Sequence, residues 1–72
     1  MHLGLDNFAE AVADFGSALR YSPDNDAAYV FRGRAYGRLG EPEKMCADFD
    51  RACALGNCEE KQGAVAADLC PD

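Results

Sequence analysis

Shifted against itself by thirty-four positions, the sequence meets itself in register. Leu5 falls on Leu39, Ala13-Asp14-Phe15 on Ala47-Asp48-Phe49, and Ala18 on Ala52. Self-similarity at a period of roughly 20–50 residues marks stacked supersecondary units, each too small to bury its apolar face alone. With 72 residues, the chain has room for barely two such periods. It is therefore one small domain at most, burying roughly 60% of the surface it exposes when unfolded. An enzyme pocket with its own supporting shell is hard to fit into so thin a core.

The local pattern identifies the repeating unit as helical. In Phe8–Tyr21 the apolar residues Phe8, Ala11, Val12, Phe15, Ala18 and Leu19 recur at spacings of three and four, the stripe of an amphipathic helix. Asp6 or Asn7 is placed to cap its start. Ser22-Pro23 stops it, because the residue before a proline avoids the helical region. Ala28, Tyr29, Arg32, Ala35, Tyr36 and Leu39 share one broad side of a second helix, capped by Asn25 or Asp26 and closed by Gly40. Pro42 fits the first position of a third helix, whose stripe is Met45, Phe49, Ala52 and Leu55 and whose end is Gly56. Asn57 and Glu60 have the spacing of a capping box, which predicts a shorter fourth helix running to about Leu69. Nothing alternates in the manner of a strand. The expected fold is all-α, with antiparallel helices joined by short turns.

On these residues the chain resembles the tetratricopeptide repeat family. Tyr29, Gly33, Tyr36, Leu39, Gly40, Phe49, Ala52 and Leu55 stand at the spacing of that family's signature. Phe8, Ala11, Phe15, Ala18 and Pro23 match the second-helix half of the same signature, so the resemblance runs from about Leu3 to Asn57. Pro42, Met45 and Asn57 depart from it, standing where the family has an aromatic, a small residue and a closing proline. The residues also make physical sense in this role. Gly33 lets a neighbouring helix approach its backbone, Ala18 and Ala52 do the same for the second helices, and Phe15 and Phe49 fill the space between one helix pair and the next.

The resemblance implies a right-handed superhelical stack of about four helices. Residues 1–5 would be the tail of a truncated first helix and 6–22 the second helix of repeat one. Residues 24–57 would form a full second repeat, and 58–70 a C-terminal capping helix. Because solenoids usually need three or more repeats, an excised piece or C-terminal remnant of a longer array is expected over a bundle completed by self-association or disulfides.

Charge and composition exclude several functions. Thirteen acidic residues against seven basic ones give a net charge of −6, which repels nucleic-acid phosphates and anionic lipid. A hydrophobic content of 49% argues against disorder. No apolar run approaches the ~20 residues of a bilayer span, and no basic-then-apolar leader is present. For catalysis, His2 is alone and terminal, Ser17 and Ser22 lack a neighbouring base, and Glu59-Glu60 open a helix where negative charge is favourable anyway. Gly4, Gly16 and Gly63 are scattered and form no phosphate-cradling loop. The expectation is a non-catalytic chain without a cofactor, whose partner is another protein.

Three sets of residues stand out. Arg34 and Arg38 lie one helical turn apart, with Ala27, Val30 and Phe31 on the same side. The resemblance implies that this side faces a groove holding extended peptides, where basic residues clamp a carboxylate. Arginine suits that task because its planar fork pairs both carboxylate oxygens. An acidic partner segment follows, with a merely solvated charged face as the alternative. The Lys and Asn pair of carboxylate-clamp members is absent, since Val30 and Arg34 hold the matching positions. Arg32 instead falls on the packing side between Tyr29 and Tyr36, where a buried charge needs a partner. Asp14 and Asp48, at identical repeat positions, are the candidates for that structural ion pair.

The third set is Cys46, Cys53, Cys58 and Cys70. If the third and fourth helices are antiparallel, Cys53 and Cys58 flank the turn between them and Cys46 meets Cys70 at the far end, giving nested disulfides. Reduced core thiols are the alternative. A metal site is disfavoured because close Cys-x-x-Cys pairs are missing. The Ala52-Cys53-x-Leu55 string also resembles Sel1-like cysteine-rich repeats, in which such a cysteine bridges to the next helix. Two functional readings follow. One is a peptide-binding interaction module; the other is a disulfide-stapled structural domain that self-associates into a homo-oligomer or larger array.

Overall fold

The computed structural model describes residues 7–71, so the expected helix tail at 1–5, the capping candidate Asp6, and His2 lie outside the described residues. Four helices follow one another: α1 (Phe8–Tyr21), α2 (Asp26–Arg38), α3 (Pro42–Ala54) and α4 (Glu59–Ala66). There is no strand among the described residues. Each helix packs on its neighbours in the chain, α1 on α2, α2 on α3 and α3 on α4. The all-α stack of short-linked helices expected from the sequence is the architecture observed.

The helix ends show why the chain turns where it does. Asn25 caps α2, its side-chain oxygen accepting from the Ala28 N–H at 3.2 Å. After α2, the Glu41 N–H donates to the Tyr36 carbonyl at 2.9 Å and the Gly40 N–H to Gly37 at 3.2 Å. The same pair of bonds closes α3, from Asn57 to Ala52 and from Gly56 to Cys53, both 2.9 Å. This doubly bonded ending requires a left-handed residue just past the helix. Gly40 (φ 75°) and Gly56 (φ 105°) supply it without a Cβ penalty. At the end of α4 the same geometry recurs on Asp68 (φ 66°), a side-chain-bearing residue in the left-handed region.

Two starts differ from the sequence reading. Asn7 stands at the N-cap of α1 but makes no side-chain cap bond. The capping box at Asn57 and Glu60 does not form, and Cys58 is the N-cap residue of α4. Tertiary partners claim both polar groups: the Asn57 amide donates to Asp26 Oδ2 at 2.9 Å, and the Glu60 carboxylate accepts from Arg34. α4 also ends at Ala66, short of Leu69, because the left-handed Asp68 turns the chain.

Packing divides into two cores, one on each side of the α2–α3 pair. The first joins Leu19 to Ala28, Tyr29, Val30 and Ala52, with Phe15 against it. The second joins Met45 and Phe49 to Ala64 and Cys70, with Tyr36, Cys46 and Val65 against it. Between them α2 lies on α3 at close range. A Cβ built on Gly33 would stand 2.6 Å from Phe49 Cε1 and 3.3 Å from Asp48 Cβ. Thermal unfolding of two variants checks this contact. Gly33→Ala is expected to lose about 1–3 kcal/mol through overpacking. Gly63→Ala, whose new methyl meets nothing within 4 Å, is expected to gain about 1 kcal/mol from helix propensity.

Candidate functional site

The side chains that fix α2 in place lie on one line. Arg32 donates through Nε to Asp48 Oδ2 at 2.8 Å and through Nη2 to Oδ1 at 2.7 Å, a bidentate pair. Asp48 is 4% exposed, so its charge requires these bonds. The guanidinium carbon also lies 5.6 Å from the Tyr29 ring centroid and 5.8 Å from that of Tyr36. From α3, the Arg51 guanidinium carbon stands 5.8 Å from the Tyr29 ring centroid and Lys44 Nζ 5.6 Å from that of Tyr36. Cations and rings therefore alternate along the α2–α3 seam, each contact contributing about 0.5–1 kcal/mol where exposed. Asp14, the other aspartate at this repeat position, is exposed and makes no ion pair among the described residues. The helix that would present an arginine to it, as α2 does to Asp48, is not among the described elements.

α4 is fastened by covalent and polar ties. Cys46 is bonded to Cys70 with the Cα atoms 5.6 Å apart, and Cys53 to Cys58 with the Cα atoms 3.9 Å apart. The bridges are nested, and no described cysteine is free. By the chain-entropy relation the outer and inner loops contribute about 3.5 and about 2 kcal/mol. Arg34 Nε donates to Glu60 Oε1 at 2.8 Å, Lys61 pairs with Asp50 at 3.0 Å, and Asn57 reaches Asp26. No group of three or more metal-ligating side chains occurs among the described residues.

These ties frame a groove of about 650 Å³ between α2 and α4, floored by α3. Arg34 and Arg38 form one wall and Glu60, Gly63 and Ala64 the other, with Met45 and Phe49 beneath and Leu69 at one end. Arg38 is exposed and makes no ion pair among the described residues.

None of the three residues grouped with the arginines from the sequence lines this groove. Val30 is 6% exposed and belongs to the first core, because α2 is covered by α1 on one side and α3 on the other. Ala27 is exposed but does not line the groove. Phe31 stays beside Arg34, its ring centroid 5.7 Å from the guanidinium carbon, but it faces α1, 5.9 Å from the Phe15 ring, and with Arg34 and Arg38 it lines a separate cavity there. Sequence reasoning found only the two arginines of this groove; among the residues it missed are Met45, Phe49, Glu60 and Leu69. The first two read as core stripe, and only the 26-residue reach from Arg34 makes Glu60 a wall. The hydrogen bond from Arg34 holds the Glu60 carboxyl below its ordinary value, against the opposing effect of burial.

A family model for the tetratricopeptide repeat matches residues 26–63, just over half of the chain. No curated protein and no solved structure matches it.

Two measurements check the geometry. Arg32→Met leaves the Asp48 carboxylate buried without a partner and is expected to lose about 2 kcal/mol in denaturant unfolding. Adding Asp48→Leu should recover most of that loss, since an apolar pair of similar volume replaces a buried ion pair at little cost. The Glu60 pair gives a pH dependence. A carboxyl with a depressed folded pKa stabilises above its unfolded value of about 4.3, and the stabilisation is lost as pH falls through the folded value. The gap in melting temperature between the parent and Glu60→Gln is therefore expected at pH 7 and should close on acidification toward pH 3.

Proposed function

The chain belongs to the tetratricopeptide repeat family, whose repeats are in general non-catalytic and mediate protein–protein interaction; on that premise we propose that it holds an extended acidic segment of a partner protein in the groove between α2 and α4. The observation that carries this reading is Arg38, an exposed guanidinium without an ion pair among the described residues, at the edge of an apolar floor. A volume of about 650 Å³ falls within the range that holds compact ligands.

The mechanism follows from side-chain chemistry. Apolar side chains of the segment bury against Met45, Phe49 and Ala64, and a neighbouring carboxylate takes the planar fork of Arg38. Arg34 gives its Nε–H to Glu60 and retains its other N–H groups for a second acceptor. In a chain of net charge −6, this is a local site that attracts anionic segments while the rest of the surface repels them. The two disulfides serve a stapled structural domain equally well; the groove and its free arginine favour binding.

A displayed library of random peptides, selected against the oxidised protein, tests the reading. Enriched sequences should place Asp or Glu beside an apolar residue. Their affinity should fall at least about tenfold on Arg38→Glu, the loss of one charge-assisted bond. Arg38→Glu is a cleaner probe than a change at Arg34, which would also break the tie to Glu60. Enrichment without acidic residues, or equal binding to the variant, would refute the reading.

A further inference from the structure

The ties that hold α4 are spread unevenly along it. Asn57 reaches Asp26, Glu60 accepts from Arg34 and Lys61 pairs with Asp50, so these polar ties fall in the turn before α4 or in its first turn. The inner bridge, Cys53–Cys58, closes the same end. Beyond Lys61, no ion pair and no hydrogen bond between side chains joins the segment to α2 or α3 among the described residues. The far end has the packing of Ala64 and Val65 and one covalent tie, the outer bridge from Cys46 to Cys70. Gly63, Ala64 and Leu69, which line the groove, all belong to that far end. Past the helix the chain turns through Asp68 in the left-handed region (φ 66°), and the buried Cys70 brings it back onto Cys46 of α3. The outer bridge thus closes the half of the wall that no polar tie reaches. Its Cys46 end is half-buried and lines a surface cavity with Ala47, Asp50 and Leu69, where a reductant can approach.

We propose that Cys46–Cys70 is a redox gate on the groove. A dithiol reductant attacks Cys46 Sγ as its thiolate, a mixed disulfide forms there, and Cys70 leaves as a thiolate and takes a proton. The reductant's second thiol, losing its proton, then displaces Cys46 and closes the reductant's own disulfide. Two electrons and two protons have passed to the protein, and Cys46 and Cys70 end as thiols. Gly63 to Leu69 then leave α3, while the ties to Asp26, Arg34 and Asp50 keep the start of α4 in place. α2 and α3 stay together, because the Arg32–Asp48 pair and the approach of Gly33 to Phe49 involve neither bridge. Opening the inner bridge has no such effect, since the polar ties at that end duplicate it. That the gate controls ligand affinity rests on the acidic-segment reading given above; the opening itself is a property of the fold.

Amide hydrogen exchange of the full-length protein and two variants, Cys46→Ala/Cys70→Ala and Cys53→Ala/Cys58→Ala, tests the gate without any ligand. The Ala67, Asp68 and Leu69 N–H groups bond back into α4, and a helix this short does not persist once detached. Without the outer bridge, protection over residues 63–69 should fall at least about tenfold while α2 and α3 keep theirs. Without the inner bridge it should be retained. That second variant carries the outer bridge alone, so graded dithiothreitol should remove protection in step with alkylation of Cys46. Binding is then read with the tightest peptide from the display selection. Its affinity should be at least about tenfold weaker for the outer-bridge variant than for the oxidised parent. By reciprocity, saturating peptide should make the outer bridge harder to reduce by the same factor. Four results would overturn the gate: unchanged protection over 63–69, equal loss in both variants, loss across α2 and α3 as well (a staple of the whole fold), or equal peptide affinity with and without the outer bridge. A parent that binds no acidic peptide overturns the groove reading instead, and the exchange data still decide whether the wall opens.

Discussion

A carboxylate almost wholly removed from water has to be neutralised, and the way Asp48 is neutralised organises the rest of the molecule. Its two oxygens take the fork of Arg32, which can reach them only if α2 lies close along α3. Gly33, the next residue, permits that approach because its backbone meets Phe49 with no side chain between them. Charge pairing and shape thus act at adjacent positions on the same contact. Arg51 and Lys44 of α3, beside the Tyr29 and Tyr36 rings of α2, extend the constraint along the seam, so α2 is fixed in rotation as well as in distance. With α2 fixed, Arg34 and Arg38 project along one edge, and the groove acquires its first wall.

The second wall is held differently. α4 has eight residues, too few to be a stable helix by itself. It buries only Ala64 within its own span, with Cys70 beyond it. Apolar packing of that extent is a weak anchor. Two covalent loops and polar ties from α2 and α3 provide the remainder, and they place Glu60 opposite Arg34. One wall of the groove is a product of packing, whereas the other depends on sulfur chemistry and surface charge.

This division also explains which parts were legible in the sequence. Helix ends governed by backbone chemistry could be read directly: Gly40 and Gly56 occupy left-handed positions that disfavour other residues, and Pro42 opens a helix. The thirty-four-residue period disclosed which residues cross between helices, and from it the architecture followed. Local rules failed where a tertiary partner outbid them. Asn57 and Glu60 have ideal capping spacing, yet Asp26 and Arg34 take both groups. Val30 reads as a groove residue on a helix with one buried side, but α2 is covered on two. Asp14 and Asp48 are indistinguishable as letters, and only the presence of a covering helix separates a buried ion-pair partner from a solvated acid.

The nesting of the two bridges has a topological consequence. Every peptide bond between Cys46 and Cys70 lies inside the outer loop. A protease that cuts once anywhere in that stretch, α4 included, leaves both products joined through sulfur. The backbone is then severed without any fragment leaving, and the groove's second wall stays tethered to α3. Scission of the main chain and disassembly of the surface are separate events in this protein, and a reductant is needed to turn one into the other.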